Sequence, residues 1–222
     1  NLLIDDLNEI RGVYPYHLED NKSYTGIFRS PFLNSNHYRD LLLHKEIHGY
    51  LKEIFPTNYQ LHLSRCVENK VLETAATADW HRDIPYLHTP SKFPLSISFL
   101  TFLSSCSDIQ IEILLDTHNK NFYNSHESEL LSLSPKPGDA ILFDSNLMHR
   151  TLPTKETVLY NLYMYSSPII KPIVDYSSDD IMRKIISNEY RLNSLLDVLG
   201  YDFLIPKDDL EYKNKKKNYV DS

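Results

Sequence analysis

Between Asn36 and Phe55 the apolar residues Leu41, Leu42, Ile47, Leu51, Ile54 and Phe55 recur at helical spacing, and Pro56 stands where a helix has to stop. The first part of the chain, residues 1–57, therefore reads as a mainly helical support. From Asn58 the period falls to two: Tyr59, Leu61, Leu63, Arg65 and Val67 alternate with Gln60, His62, Ser64 and Cys66, as in a half-buried strand. Further strand-like runs follow at Leu95–Leu103, Ile109–Leu115, Ala140–Phe143 and Val158–Tyr165, separated by polar or turn-rich segments. Helical spacing returns through Ile181, Ile185, Leu192, Leu195, Leu196 and Leu199, within Asp179–Leu199, and ends at Gly200. Several short strands after a helical segment predict a mainly β fold with flanking helices, a barrel or sandwich over 58–168 buttressed by a helical segment and tail over 169–222.

Composition narrows what such a fold is for. With 222 residues and 41% hydrophobic content the chain can close one core, and a single domain over 1–222 is expected. The formal charge of -7 argues against a surface built to hold phosphates, so nucleic acid is not expected as a partner and a small molecule is. Cys66 and Cys106 are too few for a disulfide framework or a cysteine-ligated zinc site, and two buried thiols fit a reducing cytoplasm. No apolar run approaches the roughly 20 residues that cross a bilayer, and the start Asn1-Leu2-Leu3-Ile4-Asp5-Asp6 lacks a basic signal region, so a soluble protein without membrane contact is expected. The basic run Lys213–Asn218 reads as a solvated terminus.

The candidate chemistry lies in Asp79-Trp80-His81-Arg82-Asp83. In a strand, residues i and i+2 face one way, so His81 and Asp83 can reach a single metal. A second histidine from a distant strand would complete a two-His-one-carboxylate facial triad, which leaves positions open on iron(II). His149 is that candidate, since it follows the turn and short apolar strand Pro137–Asp144 and would project near the barrel mouth. His17-Leu18-Glu19 and His44-Lys45-Glu46 share the His-x-acid pattern but precede the strands, and the i, i+4 pair His44 and His48 has no third ligand in view.

At these residues the sequence resembles the phytanoyl-CoA dioxygenase family of iron(II)- and 2-oxoglutarate-dependent oxygenases. The matching pieces are Trp80-His81-Arg82-Asp83, Pro85, Pro137–Asp144 and Leu147-Met148-His149-Arg150-Thr151, in order over about half the chain. Leu115–Lys120 looks like a diverged form of the family's Pro-Gly-Ser-His-Lys stretch, whose histidine is not a ligand, so His118 is left out of the metal set. The resemblance implies a double-stranded β-helix (jelly roll, cupin-like), Fe(II) on His81, Asp83 and His149, 2-oxoglutarate as cosubstrate beside them, and molecular oxygen. It implies oxidative decarboxylation of 2-oxoglutarate coupled to hydroxylation of an unactivated C–H bond. Related halogenases replace the ligand carboxylate with a small residue; Asp83 is a carboxylate, so a hydroxylase is expected.

One feature of the family is missing. Its members usually hold the distal carboxylate of 2-oxoglutarate with an arginine about nine to thirteen residues beyond the second histidine, where a guanidinium binds it bidentately. Here that run is Lys155–Tyr163, with Thr157, Tyr160, Asn161 and Tyr163 able to hydrogen-bond but uncharged. Three arrangements are compatible with this: a cation from another strand, with Arg65 the best placed and Arg82, Lys92 or Lys155 behind it; a hydroxyl-lined anchor including Thr151; or a site that does not use this cosubstrate. Tyr86, His88 and Trp80 follow or adjoin the motif and are candidate pocket residues, Trp80 also reading as packing. The Ser104–Ser134 region is expected to act partly as a lid. Two other functions are compatible with the pattern, a non-catalytic or 2-oxoglutarate-independent metal-binding jelly roll and a protein hydroxylase.

Overall fold

The structure, a computed structural model, describes residues 2–13, 26–55, 58–69, 79–84, 94–105, 108, 110–119, 128–174, 176, 181 and 190–199. Strands β1 (Gly26–Arg29), β2 (Gln60–Asn69), β3 (Ser96–Phe102), β6 (Ala140–Asp144) and β8 (Val158–Ser166) form an antiparallel sheet in the order β1-β2-β8-β3-β6. Strands β4 (Ile111–Leu114), β5 (Leu130–Leu133) and β7 (Met148–Thr151) form a second, in the order β5-β4-β7. The chain passes from one sheet to the other between β3 and β4, β5 and β6, β6 and β7, and β7 and β8, which is the winding of a jelly roll. Helices α1 (Leu2–Val13), α2 (Asn36–Leu42), α3 (Lys45–Ile54) and α4 (Leu192–Val198), with a 3-10 turn over Pro31–Leu33, complete the elements among the described residues.

The larger sheet has two buried faces, and side-chain parity assigns each residue to one of them. Ser64 and Cys66 on β2, Ile97 and Phe99 on β3, and Tyr163 and Tyr165 on β8 face the helices, where Cys66, Ile97, Phe99 and both tyrosines join Leu7, Tyr38, Leu42, Leu51 and Leu195 in one apolar cluster. Leu63 and Val67, Leu100 and Phe102, and Tyr160, Leu162 and Met164 face the smaller sheet, where they meet Ile111 and Ile113 in a second cluster. Both faces of β3 are covered, and all seven of its residues are buried, the hydroxyl-bearing Ser96, Ser98 and Thr101 among them. The helices are fastened to their face by tyrosine hydroxyls: Tyr163 donates to the Tyr38 carbonyl at 2.7 Å and Tyr165 to the Leu42 carbonyl at 3.0 Å. Leu42 ends α2, so its carbonyl lacks a helical donor and takes the Tyr165 hydroxyl instead.

The sequence pattern is met in most of the core strands and departs in four places. The helix expected over 36–55 is two helices, broken at Leu43–His44, because a two-residue break leaves the apolar spacing close to helical. β1 lies inside the stretch expected to be helical and pairs with β2 at the sheet edge. β2 does not alternate throughout: its register shifts between Leu61 and Leu63, so Leu61 packs with the helices while Leu63, Arg65 and Val67 turn to the other face. Residues 130–133, inside the region expected to act partly as a lid, form a strand paired with the expected strand at 111–114. Of the helix expected over 179–199 the described part is α4, and residues 182–189 lie outside the described residues, as does Lys213–Asn218. No helix among the described residues is long and apolar enough to cross a membrane.

A candidate metal centre

His81 is not in a strand, as the tripeptide pattern predicts, but in a single antiparallel bridge to His149 at the free edge of β7. The two residues exchange backbone hydrogen bonds of 3.0 Å in each direction. Three further contacts hold this short segment in place. The Asp83 N–H donates to the Ser145 carbonyl at 3.1 Å. The Arg82 side chain reaches across β7's approach, donating to the Thr117 carbonyl at 2.8 Å and the Asn146 side-chain oxygen at 3.3 Å. Trp80 lies under the Arg150 guanidinium, 4.6 Å from ring centroid to charge centre, and Arg150 is in turn fixed by Glu112 at 2.6 Å on the neighbouring strand. Trp80 therefore packs on the outer face of the smaller sheet and does not line the site.

The three side chains expected to hold a metal converge. His81, Asp83 and His149 offer ligand atoms that all lie within 4.8 Å of one another. The Asp83 Oδ1 atom stands 3.4 Å from His149 Nε2 and 4.0 Å from His81 Nε2. Two ligands at right angles, each about 2.1 Å from a metal, are roughly 3 Å apart, so a modest contraction closes the set. The second nitrogens are already committed: His81 Nδ1 donates to the Asp79 carbonyl at 3.0 Å and His149 Nδ1 to the Leu147 carbonyl at 2.9 Å. That fixes both rings with Nε2 turned to the shared point, the arrangement that ligating histidines need. Asp83 and His149 are almost covered while His81 is one-third exposed, so the group opens on one side.

Electrostatics sort the three groups. Burial works to raise the Asp83 carboxyl, but the His149 imidazole, its hydrogen bond, the Ser98 hydroxyl and the Arg65 charge outweigh it and hold Asp83 well below the usual carboxylate range. Burial works to lower His149, and the Asp83 carboxylate outweighs it, leaving that imidazole raised. Burial and the neighbouring His149 lower His81. The two shifts favour an ionised Asp83 carboxylate facing a His149 imidazole that holds its proton more tightly than usual.

The open side leads into a cavity of about 590 Å³, counted to its solvent-filled mouth, with apolar walls from Leu100, Phe102, Phe143 and Leu162. Arg65, Thr151 and Tyr160 line it, together with Asn69 and Gln110, which the sequence did not single out. Arg65 projects from β2 on the same face as Leu63 and Val67, and its buried Nε atom has no hydrogen-bond acceptor among the described residues. Its charge bears on all three members of the metal group. The structure does not bring Thr157 or Asn161 to the cavity. Thr157 is exposed ahead of β8, and Asn161, paired with Cys66, lies on the helix-covered face of the sheet. Tyr86, His88 and Lys92 lie outside the described residues, as do His17 and Glu19. His118 is absent from the converging group, and Arg82 is spent on the Thr117 and Asn146 contacts.

The remaining histidines singled out in the sequence have other partners. His48 donates from Nε2 to the Leu42 carbonyl at 2.9 Å and takes the Tyr59 hydroxyl at 2.6 Å on Nδ1, while His44 caps α3 from an exposed position. His62 is fully buried beside the bulge, and burial pushes it down to about 4, against a smaller opposing pull from Asp83.

Comparison with known proteins agrees with the architecture. No family model matches the sequence, and no curated protein matches it. Among solved structures, the non-haem α-ketoglutarate-dependent epimerase SnoN from nogalamycin biosynthesis superposes with a TM-score of 0.60 at 13% identity, over 75% of this chain and 72% of that one. EctD from S. alaskensis, solved with 2-oxoglutarate and 5-hydroxyectoine, gives 0.58 at 15% over 74% and 66%. The α-ketoglutarate-dependent carbocyclase SnoK gives 0.57 at 11% over 74% and 73%. The chain has the jelly-roll fold shared by these non-haem iron, 2-oxoglutarate-dependent enzymes. At this identity the likeness is one of fold.

Proposed function

We propose that this chain is an iron(II)- and 2-oxoglutarate-dependent oxygenase of a small molecule, with the metal on His81, Asp83 and His149 and the distal carboxylate of 2-oxoglutarate on Arg65. The observation that carries the reading is the position of Arg65: a cation with a buried donor that meets no acceptor among the described residues, in the same cavity as the open side of the metal group. A guanidinium is the side chain best suited to a carboxylate, and its arrival from β2 accounts for the missing arginine after His149. The chemistry of the donor set agrees, since two imidazoles and one carboxylate with three vacant positions suit iron(II) that must bind a chelating oxoacid and oxygen together. Bound there, iron supplies oxidation of the substrate by oxygen, coupled to decarboxylation of 2-oxoglutarate.

The protein's own part is positional. His81 and His149 present fixed nitrogens, Asp83 presents a permanent negative charge, and Arg65 orients the cosubstrate from the far side. Leu100, Phe102 and Phe143 keep water from the reacting side of the cavity. Thr151 and Tyr160 stand where their hydroxyls can meet the cosubstrate, and Thr157 and Asn161 are given no part. Hydroxylation of an unactivated C–H bond is the reaction this arrangement favours, with Asp83 filling the position that halogen would need, and the motif likeness to phytanoyl-CoA dioxygenases favours the same outcome. Tyr86 and His88 remain candidates for the substrate wall.

Anaerobic titration of the iron(II)-loaded protein with 2-oxoglutarate tests this reading through the weak visible charge-transfer band of the chelate. A saturable band that His149→Ala lacks supports it. Stoichiometric iron with no band would remove the cosubstrate and leave a metal-binding jelly roll without this activity.

A further inference from the structure

The Asp83 carboxylate has two oxygens, and only one of them faces the histidines. Oδ1 is the atom 3.4 Å from His149 Nε2, whereas Oδ2 accepts a 2.7 Å hydrogen bond from the Ser98 hydroxyl. Ser98 is fully buried on β3, and behind it the Ser145 hydroxyl stands 2.7 Å away, with the Ser96 hydroxyl donating to Ser145 at 2.9 Å. Each hydroxyl has a single proton. The Ser98 proton is committed to Asp83, so Ser145 must donate to Ser98, and the three O–H groups point in one direction, Ser96 to Ser145 to Ser98 to Asp83. Hydroxyls aligned in series polarise one another and strengthen the last bond.

We propose that Ser98, backed by Ser145, is a positioning residue that holds Asp83 as a one-oxygen ligand, and so keeps the metal positions needed by cosubstrate and oxygen vacant. This rests on the metal reading given above. A carboxylate free to rotate can offer a metal both oxygens and occupy a second position. Here, turning Oδ2 toward the metal means breaking the Ser98 bond and leaving a buried hydroxyl chain without its acceptor. The constraint comes from a rigid source. Ser96 and Ser98 sit on β3, paired on both sides by β6 and β8, while Asp83 belongs to a short segment outside any strand. Ser145 serves twice, because its carbonyl accepts the Asp83 N–H at 3.1 Å while its hydroxyl backs Ser98, so one residue fixes both the backbone and, through Ser98, the side chain of the ligand. The trace of this in the sequence is two hydroxyls at period two in an otherwise largely apolar strand.

Cobalt(II) titration reads the proposal, since the visible spectrum of the bound ion reports coordination number as well as affinity. In Ser98→Ala the dissociation constant should rise roughly 10–100-fold, as for other partners of ligating side chains, and the bound spectrum should change with the extra oxygen. Ser98→Thr, which keeps the hydroxyl, should restore the wild-type spectrum and most of the affinity. Ser145→Ala should shift both in the same direction by a smaller factor, and it carries the test if Ser98→Ala does not fold. Wild-type affinity and an unchanged spectrum in a folded Ser98→Ala would overturn the proposal, as would a Thr variant as weak as the Ala variant. Failure of the wild-type protein to bind cobalt(II) any better than His149→Ala would instead overturn the metal reading, and this inference with it.

Discussion

His81 and His149 face each other across one two-way backbone bridge, 3.0 Å in each direction, which sets their imidazole centroids 4.4 Å apart. Sixty-eight positions of chain are thereby closed into a single point of chemistry, and the third ligand, Asp83, follows two residues after the first. The metal is not needed to build this pairing, because backbone bonds and the two Nδ1 contacts already fix both rings.

Each of His81→Ala, Asp83→Ala and His149→Ala should therefore abolish iron(II) binding and any turnover while the protein stays folded. Circular dichroism and a thermal melt alongside a metal titration check this. Unfolding of all three variants would mean that the fold depends on the triad and not on the two apolar clusters.

Arg65→Ala should weaken 2-oxoglutarate binding by about 30–100-fold, the loss expected from removing a charge-assisted hydrogen-bonding partner, with iron affinity little changed. Arg65→Lys should recover only part of it, since an ammonium cannot present two parallel donors. Equal 2-oxoglutarate affinity in wild type and Arg65→Ala would exclude Arg65 as the anchor.

Period two placed β3, β6 and β8 within a residue or two, because a strand buried on one or both faces must show its apolar residues in the sequence. The bulge at Leu61–Leu63 was not legible, since one extra residue in a strand leaves both possible faces apolar there. Nor was the break at Leu43–His44, which has neither glycine nor proline to mark it. Arg65 could be singled out as a cation on a strand, but only the register decides which face it takes. Asn161 and Tyr160 are neighbours in sequence with similar hydrogen-bonding capacity, and parity sends one to the cavity and the other to the helices. Ser98 carried no signal beyond its spacing from Ser96, because its role depends on a partner 15 residues away.

Metal binding should release one proton wherever the pH lies below the His149 value. His149 is raised by Asp83 and carries the proton the metal displaces, whereas His81 is lowered and Asp83 is already ionised. Affinity should then rise about tenfold per pH unit while pH is below the His149 value and level off above it. Isothermal titration in two buffers of different ionisation enthalpy counts the protons. Release of two would show that His81 is protonated as well, and release of none would place His149 neutral in the free protein.

Trp80→Leu should loosen the segment that carries His81 and Asp83, since Leu cannot offer a ring to Arg150. A cation–π contact at a partly exposed site is worth about 0.5–1 kcal/mol, so stability should fall by that order while metal affinity falls a few-fold. Arg150→Gln should have a similar effect through the same contact and through loss of the Glu112 pair. Metal affinity in Trp80→Leu equal to wild type would show that the backbone bridge and Arg82 hold the segment unaided.

The opposite orientation of neighbouring side chains on β8 has a consequence for descent. Tyr163 and Tyr165 keep the helices seated in one apolar cluster, while Tyr160 and Leu162 shape the cavity in the other. A lineage can exchange the second set without disturbing the first, so preference for one substrate over another can drift while the scaffold is inherited intact. Architectures that superpose well at 11–15% identity are what such separable inheritance would leave behind.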